Sequence, residues 1–154
     1  MSKGAQDWKS LAFRGMGLTP YVAGLKGEAL ELADGLARMK LPYGSHLVGD
    51  PDTGVVHGGV VTGMLDHASG MAVMAALSEP IAIATLDLRI DYMKPATPGT
   101  DLFFEARCLK VTHRIAFARG VAYQARVDDP VAISTATFML MRDRPFRTAE
   151  APRT

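Results

Sequence analysis

Hydrophobic and polar positions follow two different rhythms along this chain. From Val55 to Leu77 the residues are almost wholly apolar, the pattern of a buried helix, predicted over about His57–Leu77 and stopped before Ser78-Glu79-Pro80. After it come runs that alternate with a period of two: Ile81–Met93 through Leu86, Leu88, Ile90 and Tyr92; Asp101–Thr112 through Leu102, Phe104, Ala106 and Cys108; then Arg114–Val127 and Val131–Met141. Such alternation predicts half-buried strands. Their links, Lys94–Thr100, His113 and Asp128-Asp129-Pro130, are short and polar, which predicts antiparallel neighbours. Before the helix, Gly17–Leu25 reads as a short helix with Thr19 as N-cap and Pro20 at the first helical position. Glu28–Arg38 and Met39–Leu41 read as strands with a turn near Asp34-Gly35, and Tyr43–Gly54 is so rich in turn residues that no regular structure is expected there.

The predicted order is two strands, a loop, one long helix and four strands. The helix carries small side chains (Gly59, Gly63, Ala68, Ala72, Ala75, Ala76), so other backbones approach it closely. One such helix is buried only by a strongly curved sheet wrapped around it, which is the α+β hotdog architecture. The Val55–Leu77 run nears the ~20 residues that cross a bilayer, but Asp66, His67 and several glycines interrupt it and no second span follows.

A length of 154 residues suits a single domain over 1–154, with its core at about 17–141 and a frayed charged tail at Arg142–Thr154. At 48% hydrophobic and 21% charged, the composition is that of a globular chain. The net charge of +1 and the lack of a Lys/Arg run argue against nucleic acid or acidic membrane as a partner. One cysteine, Cys108, excludes an internal disulfide and a cysteine-based zinc site, and the scattered histidines lack metal-ligand spacing. No signal peptide is visible, so a reducing cytoplasm is the expected location. Cys108, Met64, Met71 and Met74 are expected in the core; His67 is expected to be structural and His46 an ordinary loop residue.

The chemistry concentrates at His57-Gly58-Gly59 and Asp66. A helix N-terminus offers unpaired N–H groups and a partial positive charge. Glycines there admit a ligand oxygen close to the backbone. A lone carboxylate in an apolar helix needs partners or a task. Gly59 and Asp66 lie seven residues apart, about 10 Å along a helix axis at ~1.5 Å per residue. Both cannot touch one reacting carbon, so if both act they come from two subunits related by a two-fold axis.

His57-Gly58-Gly59 with Asp66 nine positions after the His resembles the signature of hotdog acyl-CoA thioesterases of the phenylacetate-pathway (PaaI-type) branch of the 4-hydroxybenzoyl-CoA thioesterase superfamily. Thr85-Leu86-Asp87-Leu88-Arg89-Ile90-Asp91-Tyr92-Met93-Lys94-Pro95-Ala96 is similar to that family's third strand and its exit, and Ile115-Ala116-Phe117 to its next hairpin. The resemblance implies a homodimer with interface sites, often paired again into a tetramer, that hydrolyses a medium-chain or aromatic acyl-CoA. Coenzyme A is part of the substrate and no cofactor is implied. It further implies that the Gly59 N–H polarises the thioester carbonyl, that Asp66 acts as nucleophile or general base, and that Thr85 supplies a hydroxyl to the water. Aryl-CoA relatives place a Thr one turn after the acid, where this chain has Gly70; in the loop before His57, where relatives often carry Asn, it has Asp50-Pro51-Asp52. Expected substrate contacts are His57, Gly58 and Asp50, with Arg89, Lys94, His113 and Arg114 for the phosphates of coenzyme A. The competing readings are a hotdog enoyl-CoA hydratase or dehydratase and a non-catalytic acyl-CoA binding domain.

Overall fold

Thr19 opens the described part of the chain, residues 19–145 of a computed structural model. Its hydroxyl accepts the Val22 N–H at 3.4 Å and caps helix α1 (Pro20–Leu25), which Lys26 ends in a left-handed conformation at φ 63°. The expected start of this helix at Gly17-Leu18, and the tail beyond Pro145, lie outside the described residues.

Strands β1 (Glu28–Ala33) and β2 (Leu36–Leu41) form a hairpin whose two-residue turn is Asp34-Gly35. Both turn residues have positive φ, 45° and 78°, as the tight primed turn demands, and this is why a glycine stands there. The break between strands thus falls at the turn rather than at Arg38/Met39. The Tyr43–Gly54 region holds more order than its composition foretells. A 3-10 turn (Ser45–Leu47) leads into β3 (Val48–Asp50), which pairs antiparallel with β4 (Val55–Val56).

Helix α2 (Gly58–Ala76) follows at once, capped by His57. It packs chiefly on β6 (Leu102–Val111), β7 (Ile115–Tyr123) and β2. The remaining strands are β5 (Ile81–Tyr92) and β8 (Ala132–Pro145). The sheet order is β1-β2-β6-β7-β8-β5 with every pairing antiparallel. β5 therefore pairs with β8 and not with the next strand in sequence. The nine-residue link 93–101 crosses the ends of β8 and β7, a step of about 15 Å at ~4.8 Å per strand. β8 also runs four residues past the predicted end, because Ala82 and Ile81 of β5 give it partners as far as Pro145.

The core lies between α2 and the concave face of the sheet. Met39, Leu41, Met64, Leu65, Phe104 and Leu102 fill its first part, and Val73, Met74, Ile81, Phe138 and Leu140 close the far end. Single-residue bulges at Leu30 in β1, Leu86 in β5 and Leu109 in β6 interrupt the ladders, beside one longer mismatch where residues 142–144 of β8 stand opposite the Ile81–Ala82 step. A bulge inserts one unpaired residue and sharpens the twist. Each bulged residue here is a leucine left about half exposed: 51%, 50% and 59%. Leu86 is thus turned out of the face that alternation assigns it, while Leu88 and Ile90 stay partly buried.

Candidate active site

The opening of α2 is built from His57 outward. The His57 Nδ1 accepts the Gly59 N–H at 2.9 Å, and its carbonyl takes the Val60 N–H at 2.9 Å. With Nδ1 an acceptor, the neutral ring carries its proton on Nε2. A Cβ on Gly59 would come 2.9 Å from Nδ1 and 3.0 Å from Cε1, so the ring sits in space that only glycine leaves open.

Two turns on, Asp66 accepts a hydrogen bond at Oδ1 from the Thr85 hydroxyl at 2.8 Å. Thr85 stands immediately before the Leu86 bulge, and bulges re-aim neighbouring side chains beside functional sites. The lone acid of α2 and the hydroxyl expected from the next strand are therefore in direct contact. Asp66 is half-buried, with His67 half-buried beside it. The Gly59–Asp66 stretch belongs to one continuous helix, so the axial separation read from the sequence stands.

Tyr92 and Thr62 join the helix opening and were not singled out from the sequence. The Tyr92 hydroxyl donates to the Gly58 carbonyl at 2.6 Å and lies 2.7 Å from Thr62 Oγ1. A cavity of about 380 Å³ beside them is lined by Val55, Gly58, Val61, Tyr92 and Lys94. Lys94, at its rim, pairs with Asp129.

The other expected binding residues are dispersed. Asp50 is occupied locally: its carboxylate takes the Asp52 N–H at 3.1 Å and the Thr53 hydroxyl at 2.7 Å. The Thr53 hydroxyl first, then the Asp52 N–H, hold it below the ordinary carboxylate range. It shapes the β3–β4 turn and is not brought to Asp66. Arg89 pairs with Asp91 at 3.0 Å and faces the convex side of the sheet, in an open cavity of about 730 Å³ shared with Arg107 and Arg119. His113 and Arg114 line a third cavity, about 670 Å³, with Arg142 and Arg144. Arg142 donates to the His113 carbonyl at 2.7 Å and to Glu79 at 2.9 Å. It is an ordered strand residue and not part of a frayed tail. The only sequence signal for it was its charge, which is uninformative beside several others. His46 does no more than approach the Leu25 carbonyl at 3.4 Å. Cys108 is half-buried, and burial pushes its thiol up.

Comparison with known proteins identifies the family. The thioesterase superfamily model matches residues 53–134, which include the α2 opening, Asp66 and Thr85. A relative from Halobacterium salinarum, provisionally named an esterase, is 34% identical over 121 residues, 73% of this chain and 79% of that protein. A solved structure from Pseudomonas aeruginosa has a TM-score of 0.77 at 35% identity, covering 86% of this chain and 98% of that one. Another, a phenylacetic acid degradation-related protein from Ralstonia eutropha, has a TM-score of 0.70 at 30% identity, covering 85% and 98%. Among the described residues no helix is long and apolar enough to cross a membrane. The chain belongs to the thioesterase superfamily and has its hotdog fold.

Proposed function

We propose that this chain is an acyl-CoA thioesterase, working as a homodimer on a medium-chain or aromatic acyl group. The observation that carries the reading is the 2.8 Å bond from Thr85 to Asp66 on a helix opened by His57-Gly58-Gly59. The thioester carbonyl lies against the opening of one α2. It takes the Gly59 N–H as the exposed His57 ring turns aside, exchanging a capping bond for a substrate bond. Asp66 comes from the partner subunit, since about 10 Å of helix separates the two groups within one chain. Thr85 holds Oδ1, and Oδ2 either takes a proton from the attacking water or attacks the carbonyl carbon itself. In the first route the water oxygen bonds to carbon and the carbonyl oxygen becomes an oxyanion held by the Gly59 N–H. The C–S bond then breaks, and the thiolate recovers the proton from Asp66. In the second route the new bond from Oδ2 to carbon replaces the C–S bond, the thiolate leaves, and water cleaves the resulting mixed anhydride to the free acid and the Asp66 carboxylate, its proton going to the thiolate. A donor aimed at the oxyanion is worth ~3–4 kcal/mol, and a positioned base roughly 10²–10⁴-fold.

The phosphates of coenzyme A have a candidate seat in the cavity of His113, Arg114, Arg142 and Arg144, where cations outnumber the lone Asp143. On this reading His113 and Arg114 belong to substrate binding, and Arg89, on the convex face, does not. Lys94 stays at the rim of the cavity beside Gly58. The dimer doubling into a tetramer is part of the same proposal.

The test is thiol release from short, medium, long and aromatic acyl-CoAs by the wild type and Asp66→Asn, with the dimer content of both measured. Release by the wild type, reduced a hundredfold or more in a still dimeric variant, is expected. No release from any acyl-CoA, with ligand still bound, refutes hydrolysis and favours hydration chemistry or a non-catalytic binding domain.

A further inference from the structure

The Tyr92 hydroxyl stands at the centre of a short hydrogen-bond relay. It donates to the Gly58 carbonyl at 2.6 Å and meets Thr62 Oγ1 at 2.7 Å. A phenol carries one proton. That proton is committed to Gly58, so Thr62 is the donor in the second bond. The relay therefore runs from Thr62 to Tyr92 to the Gly58 carbonyl.

That carbonyl and the Gly59 N–H are the two ends of a single conjugated peptide unit. A hydrogen bond accepted at the oxygen draws electron density from the nitrogen and makes its N–H a stronger donor. Such chains strengthen each successive bond by an estimated ~10–30%. The N–H at the far end is the one now held by His57 Nδ1 at 2.9 Å. A helical Thr would ordinarily turn its hydroxyl onto the carbonyl four residues back, which for Thr62 is Gly58; here the phenol stands between them. The fit also depends on glycine at 58, where a Cβ would lie 3.3 Å from the Tyr92 oxygen.

We infer that Tyr92, backed by Thr62, is a positioning residue. It orients and polarises the Gly58–Gly59 peptide so that the Gly59 N–H donates more strongly to an oxygen at the helix opening. The polarisation stands on the geometry alone. Its kinetic consequence rests on the thioesterase reading proposed above.

The experiment compares full-length ¹⁵N-labelled wild type, Tyr92→Phe and Thr62→Val. In Tyr92→Phe the ring is kept and only the hydroxyl is lost. The Gly59 amide nitrogen is expected to move upfield, and to move less, in the same direction, in Thr62→Val. Amides of β6 and β7 stay in place, which a general loosening of the fold would not allow. With a thioester substrate, kcat for Tyr92→Phe falls about two- to eightfold, a ~10–30% strengthening taken from one oxyanion donor, with KM within about twofold. A Gly59 nitrogen unmoved in a folded Tyr92→Phe protein overturns the inference, as does a larger shift in Thr62→Val than in Tyr92→Phe. A rise in KM at unchanged kcat also overturns it. A wild type that hydrolyses no thioester refutes the proposed activity, while the nitrogen shift still decides the polarisation.

Discussion

Replacing Gly59 by alanine separates the chemistry of the α2 opening from its stability. Two terms oppose each other in the fold. Alanine gains up to about 1 kcal/mol over glycine within a helix. The new Cβ would sit 2.9 Å from His57 Nδ1 and 3.0 Å from Cε1, closer than carbon tolerates, so the ring leaves and its cap on the Gly59 N–H is lost. A helix cap is worth about 1 kcal/mol. His57 is exposed and turns away without disturbing the core, so the two terms nearly cancel. Activity has no such compensation. A substrate oxygen accepting the Gly59 N–H where Nδ1 now sits would meet the same Cβ at the same separation. Losing one oxyanion donor costs roughly 10²–10³ in kcat. Thermal unfolding and thiol release of Gly59→Ala, side by side, are expected to show a midpoint close to wild type and turnover lower by about a hundredfold or more. Turnover within a few fold of wild type in a folded Gly59→Ala protein would refute the assignment of this N–H to the carbonyl.

Further outcomes follow from the charged residues. The Tyr43 N–H at 2.8 Å, and then Lys40 at 3.0 Å, hold the Asp101 carboxyl below the ordinary range. Its stabilisation is therefore complete above the unfolded value of about 3.9 and is lost as pH falls through the depressed folded value. The unfolding midpoint of Asp101→Asn should lie below wild type near neutrality, and the gap should close in acid; a gap independent of pH contradicts this. Removing Arg114 should raise KM for an acyl-CoA about two- to fivefold, as for one exposed ion pair, and leave a nucleotide-free acyl-pantetheine unaffected. An equal effect on both substrates would remove the phosphate seat from the His113–Arg144 cavity.

What could be read from the sequence was whatever is encoded locally. The α1 cap at Thr19, the Asp34-Gly35 turn and the extent of α2 each depend on residues within a few positions of one another, and each lies close to its expected place. Asp66 was conspicuous because a lone acid in an apolar helix demands an explanation. Thr85 was reached only through family resemblance, since a hydroxyl on a strand is unremarkable by itself. Tyr92 escaped notice because its partner, Gly58, is 34 residues away, and its position in the alternation marked it as an ordinary inward residue. The bulges escaped for a related reason: Leu30, Leu86 and Leu109 fit a regular period until pairing with the neighbouring strand shows one residue too many.

These nonlocal features converge on one element. β5 carries both Thr85, which holds Asp66, and Tyr92, which holds Gly58. Its place is set on one side only, by its register with β8, where Thr85 stands opposite Phe138 and Tyr92 opposite Ala132. Among the described residues β5 is an edge strand, so a slip of one residue would be opposed by that single ladder. Such a slip would turn Thr85 away from Asp66 and Tyr92 away from Gly58 together, because strand side chains alternate faces. The Leu86 bulge prevents the slip from being neutral, since it must stay matched to the step between Thr137 and Phe138. The partners of Asp66 and of the Gly58 carbonyl are thus positioned by the same register, although Thr85 and Tyr92 stand seven residues apart along the strand. A partner strand laid along the free edge of β5, as dimerisation by edge pairing requires, would lock that register from the second side and fix both halves of the site at once.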